Sequence, residues 1–307
     1  MDVIEVTLKD YGACFPTTAH VYDSVPFIEL NRHKCEHLAC LLFHDGTIRG
    51  GMVAGLRDGV LHAPFSAPFG GIEWTRRQSV RCVDAVVEAL GRYAAEKHLP
   101  VSIIFPPMVY SVGMPAAIAG ALSRNASCTV SHDLSYHINL PEYGGQSLTA
   151  KGRSRLSNSF KASLDLCRLS GNEADIRRVY ALVKANHDAK GYPVKMSVEE
   201  VIATSRIVPA DYFVLQSGGL DLAGAQVFHS APGIVQLIYW GDIPGHGLSG
   251  VMNRFAHELA VHYRSQGLRI LDFGPASLDG VPDYGLCEFK TNVGCEVSLK
   301  PRALFRP

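Results

Sequence analysis

Apolar residues recur along this chain at two spacings, about two residues and about 3.6, and the order in which these alternate predicts the architecture. In the second half, residues 152–162 read as a short basic helix and 164–169 as a strand. Over 172–190, Ile176, Val179, Tyr180 and Val183 fall on one helical face. Ser197-Val-Glu-Glu200 has the form of a capping box and opens a helix to about residue 207. Three strands follow at 212–216, 222–228 and 234–240, the first two joined by the hairpin signal Gly218-Gly219. After a glycine-rich loop at 244–250, Met252, Phe255, Ala256, Leu259, Ala260 and Tyr263 form the apolar stripe of a long helix. A strand at 269–273, a helix at 283–292 and a last strand at 295–299 close the chain.

The first half repeats this plan without obvious identity. A strand at 3–8 leads through a helical or irregular stretch to strands at 38–43, 51–56 and 60–65. A Pro/Gly-rich loop at 66–74 precedes Thr75-Arg-Arg-Gln78, which has capping-box form. Val83, Val86, Val87, Leu90 and Ala94 then mark a long helix. A strand at 101–105, a helix at 114–122 and a strand at 129–140 complete the half. A duplicated plan of this length implies two domains of one fold. Pro141-Glu-Tyr-Gly-Gly145 interrupts both patterns, so the expected domains are 1–143 and 144–307.

Composition narrows the class. The 307 residues suit about two domains, and 47% hydrophobic with 19% charged residues excludes a disordered chain. Twenty-nine basic and 29 acidic residues cancel, which leaves no broad charge footprint for DNA or tRNA. The eight cysteines include no C-x-x-C pair, against both a zinc cluster and a disulfide framework. Met1–Glu5 shows no basic leader, and the apolar run 112–122 is short and interrupted by Pro115, against membrane insertion. The expectation is a cytoplasmic protein; its oligomeric state is not legible in the sequence.

Three segments carry a family likeness. Arg153-Ser-Arg155 with Asn158-Ser-Phe-Lys161 forms a basic helix. Leu271-Asp272-Phe273-Gly274 is followed by Gly285-Leu286 and by Phe289-Lys290 ahead of Gly294. In the first half stands Ala67-Pro-Phe69-Gly-Gly71. Together with the element order, they resemble the FemAB-like branch of the GNAT (acyl-CoA N-acyltransferase) superfamily over nearly the whole chain. The resemblance implies an α/β (α+β) protein of two tandem GNAT-like domains, each a mostly antiparallel mixed sheet flanked by helices. It further implies an N-acyltransferase that uses acyl-CoA as co-substrate, with aminoacyl-tRNA the lesser alternative. The acceptor would be a small-molecule or peptide amine, held in a cleft between or beside the domains. The competing reading is a catalytically degenerate module that binds a metabolite or a protein partner.

Gly245-His246-Gly247-Leu248-Ser249-Gly250 matches G-x-G-x-x-G between a strand and a helix, the form of a dinucleotide fingerprint. It follows an antiparallel meander, however, and only 35 residues remain after Asp272, too few to complete a doubly wound sheet. The better reading is a backbone cradle for pyrophosphate at a helix N-terminus, with Ser249 as the cap. The plain strand-to-helix turn is the bland alternative. Relatives carry Arg or Gln three residues before the first glycine, where this chain has Asp242. By resemblance, Lys290 is the expected oxyanion-stabilising cation. Asp272 is expected to orient the acceptor amine or take its proton, and Tyr284 and Tyr239 are candidate proton donors. Arg153 and Arg155 are candidate phosphate ligands, and Trp240 and Phe69 candidate substrate-facing aromatics. No metal is expected: His257 and His262, at i and i+5, sit about 140° apart on a helix and cannot share a zinc ion. Gly247-Leu-Ser249 lacks the final glycine of a nucleophile elbow, since Val251 stands there.

Overall fold

The computed structural model describes residues 1–110 and 114–307; the first two positions of the apolar run 112–122 lie outside the described residues. The first half supplies strands β1 (Asp2–Val6), β2 (His37–His44), β3 (Ile48–Arg57), β4 (Val60–Ala63), β5 (Glu73–Trp74), β6 (Val101–Ile104) and β7 (Cys128–Asn139). Its helices are α1 (Leu8–Cys14), α2 (Val25–Asn31), α3 (Val80–Lys97) and α4 (Met114–Arg124). The second half supplies β8 (Asp165–Arg168), β9 (Ala210–Ser217), β10 (Leu220–Ala231), β11 (Ile234–Asp242) and β12 (Ile270–Pro275). The two-residue strands β13 (Ser277–Leu278) and β14 (Val281–Pro282) and the long β15 (Glu296–Phe305) follow. Its helices are α5 (Ala150–Ser159), α6 (Glu173–Lys190), α7 (Val198–Ser205), α8 (Val251–Ser265) and α9 (Tyr284–Asn292).

The chain forms two compact units that are not a linear cut of the sequence. One comprises Met1–Leu134, Ser277–Val281 and Ser298–Pro307; the other comprises Ser135–Ala276 and Pro282–Val297. Strand pairing explains why the seam differs from residue 143. The second part of β7 pairs antiparallel with β12, from Asn139 opposite Ile270 to Ser135 opposite Pro275, and so belongs to the second unit. The second part of β15 pairs with β6, Arg302 opposite Ile104 and Phe305 opposite Val101, and so belongs to the first.

Each unit carries the same sheet. In the first the order is β1-β2-β3-β4-β6-β15, its neighbours antiparallel except for the parallel β4–β6. In the second it is β8-β9-β10-β11-β12-β7, again with one parallel pair, β11–β12. The repeat read from the sequence therefore exists at the level of pairing. In each unit the last strand comes from the end of the other half of the sequence.

Local signals account for most element boundaries. Ser197 and Glu200 make both bonds of the capping box, and Gly218 and Gly219 turn the hairpin at φ 56° and 83°. Thr75 does not cap a helix: its hydroxyl bonds the carbonyls of Ile48 and Arg49, and α3 starts after Ser79, which caps the Cys82 N–H. Ser249 is not the cap of α8 either. Gly250 is, at φ +78°, where a Cβ would lie 2.6 Å from the Arg155 carbonyl oxygen. The last strand runs past 299 to Phe305 because β6 offers it a partner, which local periodicity cannot show.

Both cores are helix on sheet. In the first unit Val83, Val86, Val87 and Leu90 of α3 cluster with Leu41, Phe43, Met52, Val101 and Ile103. In the second, Ile176, Val179 and Val183 of α6 and Val201 of α7 cluster with Tyr212 and Val214 of β9. Each such buried side chain contributes roughly 1.5–3 kcal/mol.

One buried charge ties the second unit's sheet to α8. Asp211 accepts from Arg168 (Nη2 2.6 Å, Nε 3.1 Å), from His229 Nε2 at 2.8 Å and from the Tyr263 hydroxyl at 3.0 Å. Burial alone would raise its carboxyl, but the bonds from His229 and Arg168 outweigh it and bring it down to about 2. A carboxyl titrating lower in the folded chain than in the unfolded one stabilises the fold at pH values above the ordinary 3.8. That contribution, about 2 kcal/mol, is lost as pH falls from there toward 2. Asp211→Asn should remove a similar amount at pH 7 and flatten the acid limb of a denaturant-melt series between pH 4 and 2. An unchanged limb would show that this carboxylate does not carry the acid sensitivity.

Candidate functional site

Strand β11 is longer than its parallel partner. The β11–β12 register runs only from Ile234 opposite Ile270 to Gln236 opposite Asp272, whereas the β10–β11 ladder continues to Asp242. Beyond Gln236, β11 is thus paired on one side alone. The Ile243 N–H bond to the Leu222 carbonyl fixes which amides face β10. By the alternation of an antiparallel ladder, the Trp240 N–H then points to the unpaired side.

A cleft of about 510 Å³ opens there, wholly within the second unit. Trp240, Leu248, Met252, Leu286 and Phe289 give it an apolar wall, and Arg155 and Lys190 bring two cations. The indole of Trp240 stands edge-on to Phe273 at 5.2 Å between ring centres and tilted against Phe289 at 5.8 Å. Gly250, Val251, Met252 and Asn253, the first turn of α8, also face the cleft. A glycine cap supplies no side-chain acceptor, and the first intrahelical bond is from the Arg254 N–H to the Gly250 carbonyl. The preceding N–H groups and the helix dipole make this end favourable for an anion. Asn253 adds a buried amide nitrogen with no hydrogen-bond partner.

The carboxylate of Asp242 does not oppose that anion site as a bare charge. His246 Nε2 bonds one oxygen at 3.1 Å, and Asn186 Nδ2 bonds the other at 2.9 Å. His246 Nδ1 accepts the Leu248 N–H at 3.0 Å, which puts the ring proton on the Nε2 that faces Asp242. Asn186 can reach because residue 241 is glycine; a Cβ there would lie 2.6 Å from the Asn186 side chain. Asp242 and His246 thus hold the shape of the loop.

Lys290 stands behind the cleft. Its ammonium donates to the carbonyls of Phe273 (2.8 Å), Gly274 (2.9 Å) and Pro275 (2.8 Å) and is 3% exposed. The strand bulges here: the β12–β7 register shifts between Asp272 and Gly274, and Gly274 has φ +70°. Asp272, fully buried, accepts the Gly274 N–H at 2.7 Å. Burial lowers the Lys290 ammonium to about 8, with Cys295 and Asp272 acting to raise it. The sequence expectation aims this ammonium at substrate; in the structure its three N–H groups are directed at the backbone of β12. Asp272 likewise braces the bulge.

Among the remaining expected residues, Arg155, Trp240, Leu248 and Gly250 line the cleft. Gly245 and Gly247, at φ +80° and +69°, shape the loop. Ser249 is exposed beside them. The others lie elsewhere. Arg153 Nη1 bonds the carbonyls of Leu148 (2.6 Å) and Gly145 (3.2 Å), since two residues along a helix turn it away from Arg155. The Tyr239 hydroxyl accepts the Met196 N–H at 3.2 Å, on the sheet face opposite Trp240. Tyr284 is 80% exposed at the start of α9. Phe69 is fully buried in the first unit, ringed by His20, Tyr22 and Tyr110. Sequence reading missed Asn186, Lys190, Asn253 and Phe289. Asn186 had left a signal, a polar residue three positions beyond Val183 on the buried stripe of α6.

No family model matches the sequence, and no curated protein matches it. Solved structures do. FemX superposes with a TM-score of 0.64 at 10% identity, over 99% of this chain and 97% of that one. The C-terminal domain of a candidate lysylphosphatidylglycerol synthetase from Agrobacterium fabrum gives 0.61 at 12%, over 97% and 92%. A GNAT-family acetyltransferase from Colwellia psychrerythraea gives 0.51 at 11%, over the whole of both chains. The fold is the FemAB-like tandem GNAT fold. At these identities the likeness fixes the architecture and leaves the chemistry to the site itself.

The anchor is testable. Lys290→Met keeps the stem but leaves three carbonyls without their donor, and should lower unfolding stability by about 3 kcal/mol. A variant as stable as the parent in denaturant melts would mean that Lys290 does not hold β12.

Proposed function

We propose that the protein is an acyltransferase that moves an acyl group from acyl-CoA to an amine, with the donor seated in the second unit's cleft. The observation that carries this reading is the open side of β11 beside the start of α8, whose glycine cap has no side chain, with Arg155, Lys190 and Asn253 around it. The pyrophosphate would lie on the first turn of α8 and the acyl thioester along β11. The acceptor nitrogen attacks the thioester carbonyl carbon. A C–N bond forms, the C–S bond breaks, and the departing thiolate takes up the proton that the amine gives to solvent. The Trp240 N–H faces the gap where the oxyanion would develop, and a fixed backbone dipole there needs no reorganisation. Lys290 and Asp272 act as positioning residues that hold the bulged end of β12 clear of β11. The Fem-type and lipid-synthetase neighbours keep an aminoacyl donor as the second reading.

Acetyl-CoA should raise the melting temperature of the protein and release thiol in the presence of an accepted amine. Arg155→Ala should weaken CoA binding by about tenfold or more, the scale of one charge-assisted bond. Absence of any CoA-induced stabilisation in the folded parent protein would sink acyl-CoA as donor. Binding without thiol release across an amine panel would favour the degenerate, non-catalytic module.

A further inference from the structure

The first unit holds a second centre, remote in sequence from the loop and strands of the cleft. His20, Asp23 and Glu73 are buried at 4%, 6% and 5% exposure. One ligand atom from each lies within 4.8 Å of the others. His20 Nε2 is 3.2 Å from Asp23 Oδ2. Two donor atoms on a tetrahedral zinc ion, each about 2.0 Å from the metal, stand about 3.3 Å apart. Glu73 is fixed at one oxygen by the Ala19 N–H at 2.9 Å, which leaves the other for a ligand.

A buried tyrosine packs against the strand that pairs with β5. Glu73 sits on β5 opposite Gly51 of β3. Without a Cβ at Gly51, the Tyr11 ring comes close; an ideal Cβ would lie 2.9 Å from its Cε2 atom. Among the described residues the buried Tyr11 hydroxyl has no hydrogen-bond partner, and burial first, then the carboxylates of Asp23 and Glu73, holds its proton on. Among the described residues His20 Nδ1 is buried without a partner, and Nε2 faces Asp23, the position a cation would share. Two carboxylates in one dry pocket repel each other, and a divalent cation offsets both charges.

We propose that His20 Nε2, Asp23 and Glu73 form a zinc-class divalent-cation site. The site ties the segment before α2 to β5 in the first unit. It departs from the sequence expectation of no metal because its ligands come from separated segments with no ligand spacing to read. The Lys300 ammonium lies 5.9 Å from the Phe69 ring, whose centre stands 5.0 Å from that of His20.

The full chain, stripped with a chelator, should bind about one equivalent of Zn²⁺ by equilibrium dialysis with elemental analysis. Excess Zn²⁺ should raise its melting temperature by about 5–10 °C. Co²⁺ should give the visible absorption of a tetrahedral site. Glu73→Gln, similar in shape but uncharged, should abolish all three responses, while His37→Ala, an exposed histidine outside the cluster, should keep them. Zn²⁺ binding that survives Glu73→Gln would overturn the assignment. So would a stripped parent chain that neither binds Zn²⁺ or Mn²⁺ nor develops a Co²⁺ spectrum; that result would mean that protons or Lys300 serve the carboxylates. Should Glu73→Gln fail to fold, the Co²⁺ and dialysis measurements on the parent chain decide the matter.

Discussion

The parallel pairing of β11 with β12 stops after Gln236 and Asp272, and the cleft of the second unit follows from that break. A strand edge left open leaves backbone groups unpaired, so such an edge needs a partner strand fixed in place away from it. Here the holding group is Lys290. Its three N–H groups meet three successive carbonyls of a bulged strand, while Asp272 takes the Gly274 amide from the other side. A bulge bends and re-aims a strand, and this one ends the ladder where the long β11 continues alone.

The cleft's other wall depends on two glycines that let α5 sit unusually close. At Gly152 an ideal Cβ would fall 1.8 Å from the Asn292 carbonyl oxygen of α9, and at Gly250 it would fall 2.6 Å from the Arg155 carbonyl oxygen. Helix α5 is therefore seated against α9 and the start of α8 at backbone distance. Arg155 reaches the cleft because of that approach. The same economy governs the loop, where Asp242, His246 and Asn186 satisfy one another and leave Arg155 and Lys190 to set the sign of the site.

The two units share a sheet plan and diverge at the corresponding place. In the first, β4 ends at Ala63, level with Ile103 of its parallel partner, so β4 does not run on alone. The loop that follows turns Phe65 and Phe69 inward, and Glu73 comes down to His20 and Asp23. One duplicated framework thus supports an open cleft in one unit and a packed, polar centre in the other. The difference lies in which loop residues point inward.

Local physics determined a good deal by itself. The 3.6-residue stripes of α3, α6 and α8, the Ser197 capping box and the Gly218-Gly219 turn are short-range signals, written wherever neighbours in sequence are neighbours in space. The repeated element order also sufficed to indicate two GNAT-like units, and the residues of the 245–250 loop marked the right end of α8. Contacts between distant segments were decided only by the tertiary structure. No periodicity says that β15 pairs with β6, that Lys290 turns inward to β12, or that Gly250 and not Ser249 caps α8. Arg153 and Arg155 look alike in the sequence and are separated by the helical turn between them. The His20, Asp23 and Glu73 cluster is the extreme case: its members span more than fifty residues, and only the tertiary structure, with β5 paired to β3, brings them together.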